Sequence, residues 1–436
     1  MIKQITVKDF HIFPDRRSLT VGDNDVSEKF LTMLNGDDWR RVRNVLTPTF
    51  TSGKMRKMFN SMNNTVKEAA EALLEITSNG SEINLKDFAA KYTLSVIASC
   101  CFAINANSYK NPNSEFFKQS TKFFDFSFGR IFLVLLLPNW FRRWINLRLF
   151  ATGPTKYYEK VIRHVISERR SKNIKVDDFL QLLLDASDGQ AQSATNEGSA
   201  DSNHNLFSQD EDEVKSTKLS LDGKRSKNIL DELEMVANSI SFLAAGYETT
   251  ATLITFALYE LARHPSMQEK LRTEMNKYDE INYDSVSNCV YLDATIQEVL
   301  RFHSPVAGFD RQAVEDYHIE GTNITIENGY GVMIDVYSLH FNSENYENPD
   351  VFNPDRFLPE NRHNIKPYTF LPFGSGPRNC IGMRFALLEA KLLISKLIVS
   401  YSFHFIAKTD DPPKYKIMSP MITHEPLYVG VKKLSM

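Results

Sequence analysis

Phe373-Gly374-Ser375-Gly376-Pro377-Arg378-Asn379-Cys380-Ile381-Gly382 sets one cysteine on a glycine-rich stretch that leads straight into an apolar helical pattern. Gly374, Gly376 and Gly382 let the backbone turn tightly and come close to a flat ligand where a side chain would collide. Downstream, Phe385, Leu388, Leu392, Ile394 and Leu397 recur with helical periodicity. The spacing predicts a helix whose positive end points back at the sulfur, which favours a thiolate. A thiolate so placed suits a bound metal. The bland reading of a lone cysteine, a small buried hydrophobe, leaves the glycines and arginine around it without a purpose.

Outward from that stretch, the whole chain reads as an ordinary globular enzyme. It has 436 residues, 42% of them apolar, and a formal charge of −3 at pH 7. Such a chain buries a large core and lacks the basicity of a nucleic-acid binder. Cys100, Cys101, Cys289 and Cys380 follow neither zinc-site nor disulfide-framework spacing, which points to a reduced, cytosol-facing setting. The first ten residues, MIKQITVKDF, do not form a signal peptide. The longest apolar run, 131–137, is well short of the roughly 20 residues a bilayer span needs, so no transmembrane helix is expected in this chain.

Apolar periodicity predicts helices over 56–75, 84–103, 155–170, 227–264, 266–277 and 291–302. Strand signals are fewer and late: Ile324-Thr325-Ile326 and Val332-Met333-Ile334-Asp335-Val336-Tyr337, with Asn328-Gly329 as a turn between them. The expected fold is mainly α with small β-sheets, an α+β arrangement forming a single domain over 1–436. Residues 187–224 break the pattern with Ser, Asp, Asn, Gln and Gly, and read as a disordered surface insert.

Three further groups of residues bear on chemistry. Ala245-Gly246-Tyr247-Glu248-Thr249-Thr250 lies mid-way along a long apolar helix. A carboxylate beside threonines costs desolvation there unless water or partners satisfy it. A hydroxyl next to a carboxylate holds a water through which protons pass, as cleavage of an O–O bond requires. Glu298 and Arg301 stand at i and i+3 of another helix, by itself a weak signal, since such pairs contribute only about 0.2–0.5 kcal/mol on a surface. Trp39 and Arg43 are spaced i, i+4, and an indole N–H beside a guanidinium makes a donor fork for a carboxylate.

Taken together these segments resemble the haem-thiolate monooxygenases, the cytochrome P-450 family. The cysteine stretch fills each position of the family's Phe-x-x-Gly-x-Arg-x-Cys-x-Gly pattern with Phe373, Gly376, Arg378, Cys380 and Gly382. The resemblance implies haem b as cofactor, with Cys380 as axial iron ligand and Trp39, Arg43, Arg311 and Arg378 as donors to the haem propionates. It implies proton delivery by Glu248 and Thr249, and a dioxygen groove at Ala245 and Gly246. Glu298 and Arg301 match the family's Glu-x-x-Arg helix. Arg356, in Phe352-Asn353-Pro354-Asp355-Arg356-Phe357, would complete a structural ion-pair lock; Asp355 stands where Glu is more usual.

The resemblance covers nearly the whole chain and is nearest to the microsomal animal enzymes that oxidise drugs and steroids. It implies a lipophilic small-molecule substrate, electrons from NADPH through a cytochrome P-450 reductase, and a place on the cytosolic face of the endoplasmic reticulum membrane. Arg40, Arg41, Lys54, Arg56 and Lys57 outweigh Asp37 and Asp38 and read as a positive face for that reductase. The apolar, aromatic and basic region 123–150, with Trp140, Phe141 and Trp144 beside Arg142, Arg143 and Arg148, suits either core or a membrane surface. Enzymes of this clan carry an anchor, a hinge, a first helix and first strands ahead of the position of Met1. A shortened form is therefore expected, with the strand near 332–337 left as an unpaired edge. Two other readings stay open here: a haem-thiolate isomerase that works without a reductase, against which the acid–threonine pair argues, and a non-catalytic haem-binding fragment.

Overall fold

Helical periodicity dominates the chain because apolar residues recur where one side of a helix meets the core. The computed structural model describes residues 1–17, 26–79, 82–123, 128–145, 147–188, 229–418 and 421–434. Its helices are α1 (Gly36–Leu46), α2 (Ser52–Asn79), α3 (Leu85–Phe102), α4 (Glu115–Phe123), α5 (Phe128–Leu136), α6 (Asn139–Trp144), α7 (Thr152–Lys172), α8 (Phe179–Ser187) and α9 (Glu232–Arg263). After these come α10 (Pro265–Met275), α11 (Tyr283–Asn288), α12 (Val290–Phe302), α13 (Val336–Phe341) and α14 (Met383–Ser400). Strands are short: β1 (Glu82–Asn84), β2 (Gly308–Gln312), β3 (Tyr317–His318), β4 (Thr325–Ile326), β5 (Gly331–Asp335), β6 (Tyr401–His404), β7 (Tyr415–Met418), β8 (Met421–His424) and β9 (Tyr428–Lys433). The architecture is the α+β one anticipated.

The spine is α9. It opens on a capping box in which Asp231 accepts from the Glu234 N–H at 2.7 Å and Glu234 accepts from the Asp231 N–H at 3.1 Å. Apolar residues surround it on every side, so it runs through the core, packed on α3, α7, α8, α12 and α14. One continuous cluster of buried side chains reaches from Phe10 to Val431 around it. The sheets are antiparallel and peripheral: β1-β9-β6, then the pairs β2-β5, β3-β4 and β7-β8.

Two readings of the sequence change. The strand expected over 332–337 ends at Asp335, whose carboxylate accepts from the Ser338 N–H at 2.9 Å and starts α13, so Val336 and Tyr337 are helical. That strand, β5, pairs on one side with β2 over five residue pairs, Gly308 with Asp335 through Gln312 with Gly331, and its other edge has no partner strand among the described residues. The Asn328-Gly329 turn forms, with Gly329 at φ +86°, but it joins strands of different sheets, since β4 pairs with β3. Of the proposed insert 187–224, only Ser187 and Asp188 fall within the described residues, at the end of α8.

Candidate active site

The cysteine loop is built by its glycines. Gly374 and Gly376 have φ of +73° and +75°, and a Cβ on Gly376 would fall 1.8 Å from the Thr6 carbonyl oxygen, so no other residue fits there. The Cys380 N–H donates to the Phe373 carbonyl at 2.9 Å, which closes the loop and fixes the sulfur. The helix α14 starts at Met383, three residues beyond Cys380, with Gly382 as its N-cap. Gly382 needs no special backbone angle, and open space lies where its Cβ would be. Cys380 keeps accessible surface, so its sulfur is open to a ligand. Burial raises its thiol pKa; the Gly382 N–H, Arg43 and Arg16 work in the other direction without reversing the shift.

Around the loop stand four arginines, Arg311 and Arg378 buried and Arg16 and Arg43 half-buried. Arg43 of α1 donates to the Asn379 carbonyl at 3.0 Å and to its side-chain oxygen at 2.9 Å. Arg311 of β2 donates to the Ser375 carbonyl at 3.1 Å, and Arg378 to the Leu34 carbonyl at 2.9 Å. Arg378 also lies over the ring of Trp39, 4.4 Å from its centre, and 3.6 Å from Asp15. The fourth, Arg16, donates to the Arg378 carbonyl at 3.4 Å. Burial and then mutual repulsion lower the pKa of Arg378 to about 9. Burial holds Arg43 at about 10, with Arg16 adding to the depression, and pushes Arg311 well below the usual arginine range. The Nε atoms of Arg16, Arg311 and Arg378 are buried without a hydrogen-bond partner among the described residues. Buried charge left so poorly compensated is expensive unless an anion completes it. A flat ligand carrying two carboxylates, next to a cysteine with open space at Gly382, fits this chemistry, and haem b is such a ligand.

Arg16 escaped the sequence reading. Phe13-Pro14-Asp15-Arg16-Arg17 has no helical spacing, and only folding brings it to the loop. Trp39 and Arg43, by contrast, share one face of α1, as i, i+4 spacing requires.

The long helix α9 opens at one place. Between Glu234 and Ala262 accessible surface survives only at Phe242, Ala245, Gly246, Glu248 and Thr249. Phe242, Ala245, Gly246 and Thr249 are spaced i, i+3, i+4, i+7 and form one face. The Thr249 hydroxyl donates one turn back to the Ala245 carbonyl at 2.6 Å. Glu248 pairs with Lys86 of α3 at 3.1 Å. Gly246 also serves packing, since a Cβ there would come within 2.8 Å of Ile97 on α3.

Glu298, Arg301 and Arg356 meet. Arg301 donates twice to Glu298, at 2.7 Å each, with both side chains fully buried, and Arg356 approaches the same carboxylate at 3.6 Å. The Asn353 N–H donates to Glu298 at 2.8 Å. Arg301 also donates to the carbonyls of His340 and Pro349, at 2.9 and 3.0 Å. His340, missed in the sequence because nothing marks a single helical histidine, carries the group onward. The Leu371 N–H donates to its Nε2 at 3.0 Å, so its Nδ1–H donates to the Arg301 carbonyl, also at 3.0 Å. Burial lowers its pKa to about 3, and the ring is neutral. Leu371 in turn leads into the cysteine loop.

Four of the five basic residues of the expected positive face have acidic partners. Arg40 pairs with Asp37, Arg41 with Glu234 and Asp38, Arg56 with Asp284, and Lys57 with Asp177. Acidic partners from distant parts of the chain offset the charge that the local sequence showed. Region 123–150, in contrast, does carry apolar groups outward: Trp140 and Trp144 are 71% and 78% exposed, and Leu136, Phe132 and Leu133 are exposed beside them. No helix among the described residues is long and apolar enough to cross a membrane.

Comparison with known proteins agrees with this geometry. The sequence profile of the family described as cytochrome P-450 matches residues 1–431. Cytochrome P-450 9e2 of Blattella germanica is 32% identical over 438 residues, which cover 95% of this chain and 78% of that protein. Cytochrome P-450 6k1 of the same organism is 34% identical over 409 residues, covering 92% and 75%. Cytochrome P-450 3A18 of Rattus norvegicus is 32% identical over 424 residues, covering 95% and 78%. With the profile matched almost end to end, the chain belongs to the cytochrome P-450 family: it is a monooxygenase, and so an oxidoreductase, whose cofactor is haem b.

Proposed function

We propose that this enzyme inserts one atom of dioxygen into a lipophilic organic substrate, with electrons drawn from NADPH through a separate reductase. The overall reaction takes substrate, dioxygen, NADPH and a proton to hydroxylated product, water and NADP⁺. The observation that carries this reading is Cys380, accessible beside a group of arginines of which Arg16, Arg311 and Arg378 each leave a buried Nε without a hydrogen-bond partner among the described residues. Haem b, when bound, supplies the iron chemistry that splits dioxygen, and a thiolate ligand favours that cleavage.

The chain's own residues divide the remaining work. Cys380 would hold the iron. Arg16, Arg43, Arg311 and Arg378, with Trp39, would hold the propionates by charge-assisted hydrogen bonds. Phe373 and Gly382 flank the sulfur, Gly382 leaving room for the flat ring. Glu298, Arg301, Arg356 and His340 keep the cysteine loop in place. The accessible face at Ala245 and Gly246 leaves room for dioxygen, and the Thr249 hydroxyl and Glu248 carboxylate hold a water that passes protons inward. Lys86 pairs with Glu248 near solvent. Apolar Phe242, Val306, Ala307 and Phe309 suit a lipophilic substrate and exclude water from it.

The exposed surface of α5 and α6, with Trp140 and Trp144 among basic residues, supports a lipid surface as the place where the enzyme meets its substrate, on the cytosolic side of the endoplasmic reticulum. No docking face for the reductase follows from charge, since four of the five basic residues of the cluster on α1 and α2 have acidic partners.

The test is the carbon monoxide difference spectrum of the reduced haem-loaded protein beside Cys380→Ala. A strongly red-shifted Soret band that disappears in Cys380→Ala is the expected result; a band unchanged by the substitution would remove Cys380 from the iron. NADPH consumption with added reductase, coupled to product, then separates a monooxygenase from a reductase-independent isomerase.

A further inference from the structure

Away from the cysteine loop, another polar group in the core is centred on His303, at the end of α12. Its ring is buried and stacks on Phe256 of α9, centroids 4.0 Å apart and planes within 4°. Its Nε2 lies 2.7 Å from Glu260 Oε1, and its Nδ1 lies 2.7 Å from the Tyr415 hydroxyl of β7. An ionised carboxylate only accepts, so Nε2 carries the proton, and Nδ1 accepts from Tyr415. The result is one directed chain, from the tyrosine hydroxyl through a neutral imidazole to a carboxylate on α9. Nothing in the family comparison or the proposed chemistry uses it.

What the chain holds is the β7-β8 hairpin. Beyond Tyr415 that hairpin touches the segment before β2: the Ile422 N–H donates to the Pro305 carbonyl at 3.0 Å, and Val306 and Met421 form an isolated bridge. Val306, Ala307, Phe309 and Met421 all keep accessible surface. The Phe309 ring lies 3.9 Å from where a Cβ on Gly374 would sit, which puts this segment against the cysteine loop. A wall beside that loop is therefore fixed at one end by main-chain bonds to 305–306 and at the other by a side-chain clamp to α9.

We propose that His303 is a positioning residue for the substrate pocket: by clamping Tyr415 to Glu260 it sets where Met421 and Val306 stand, and so which sizes of lipophilic substrate are accepted. The inference rests on the haem monooxygenase reading, and its test keeps the two apart. Imidazole and 4-phenylimidazole both bind haem iron through nitrogen, but only the second reaches the pocket wall. Each is titrated by its Soret shift into the haem-loaded protein and into Tyr415→Phe, a change at a residue that is 43% exposed and keeps its ring.

The expected result is an unchanged Kd for imidazole and a Kd for 4-phenylimidazole raised about three- to tenfold, the worth of one lost hydrogen bond. His303→Phe, which keeps the stack on Phe256, should give the same selective loss. The double variant should lose no more than His303→Phe alone, since both remove one clamp. Hydrogen exchange at the Ile422 amide should quicken in Tyr415→Phe. If the two azoles weaken together, or neither changes, His303 does not position the wall. If the unsubstituted protein takes up no haem, or gives no shift with imidazole, the haem reading itself falls and the proposal with it.

Discussion

Two buried groups of charge lie on either side of the cysteine loop, and they are satisfied in opposite ways. In the group around Glu298, a carboxylate receives two bonds from Arg301 at 2.7 Å and one from the Asn353 N–H, while Arg301 spends its remaining donors on carbonyls. In the group around Arg16, Arg43, Arg311 and Arg378, four cations meet with Asp15 and Asp310 as acidic neighbours among the described residues, and Arg16 lowers the pKa of the other three. The first group is centred on a carboxylate and holds backbone, with only the Nε of Arg356 left without a hydrogen-bond partner among the described residues; the second gathers cations with three such Nε atoms. Buried charge that is paired marks structure, and buried charge left over marks a binding site.

The sharpest way to break that contrast is to unpair the carboxylate-centred group. Glu298→Ala leaves Arg301 buried without its counter-ion, which costs about 3–5 kcal/mol. The calorimetric midpoint should fall steeply and little haem should be retained. A near-normal midpoint would mean that the group is not a lock.

A second carboxylate-centred group gives a pH signature. Burial pushes the Glu260 carboxyl up, but hydrogen bonds from His264 and His303 outweigh it and hold the pKa at about 2. A depressed carboxylate stabilises the fold above its unfolded value of 4.5, and that stability is lost as pH falls from there towards 2. The shift corresponds to about 3 kcal/mol at most. Acid unfolding followed by circular dichroism should therefore begin at higher pH for the unsubstituted protein than its other carboxylates would dictate. Glu260→Gln should flatten stability between pH 4.5 and 2, and an unaltered profile would dismiss the coupling.

The cationic group should respond with the opposite sign. Arg311→Met removes a buried cation whose Nε has no partner. Replacing buried charge by an apolar side chain is often neutral or stabilising, so the haem-free chain should unfold no earlier than before. Haem affinity should drop about tenfold to a hundredfold, the worth of a charge-assisted hydrogen bond. Loss of haem-free stability as large as that of Glu298→Ala would show that the arginines are structural after all.

How much of this could be read from the chain alone follows the same division. The cysteine loop, the Trp39–Arg43 fork and the Ala245–Thr249 motif were legible because each is local: turn chemistry at Gly374 and Gly376, or helical spacing at i, i+3 and i+4. Arg16, His340, His303 and Tyr415 were not, because their partners lie far away in sequence and only packing brings them together. The same blindness overstated the positive face. Arg41, Arg56 and Lys57 look unbalanced when only Asp37 and Asp38 are counted, yet Glu234, Asp284 and Asp177 fold onto them. Val336 and Tyr337 continue a strand by composition, and Asp335 overrides that by capping a helix. Apolar patterning predicts which residues enter the core, but not which charges meet there.

The smallest predicted effect lies between the two kinds of charge. Lys86 and Glu248 pair at 3.1 Å with side chains 30% and 13% exposed, so the pair is neither closed in the core nor left open. A pair that reaches solvent contributes about 1 kcal/mol or less. Lys86→Met should therefore scarcely move the thermal midpoint or haem binding. If Glu248 holds the proton-bearing water, removing its partner should instead change how electrons are used, with more peroxide released per NADPH and less product. Thr249→Ala should show the same partition more strongly, because the hydroxyl belongs to the accessible face of α9 and Lys86 stands one residue behind it. Equal coupling in Lys86→Met and the unsubstituted enzyme would confine Lys86 to the surface and leave Thr249 to hold the water without help from a paired carboxylate.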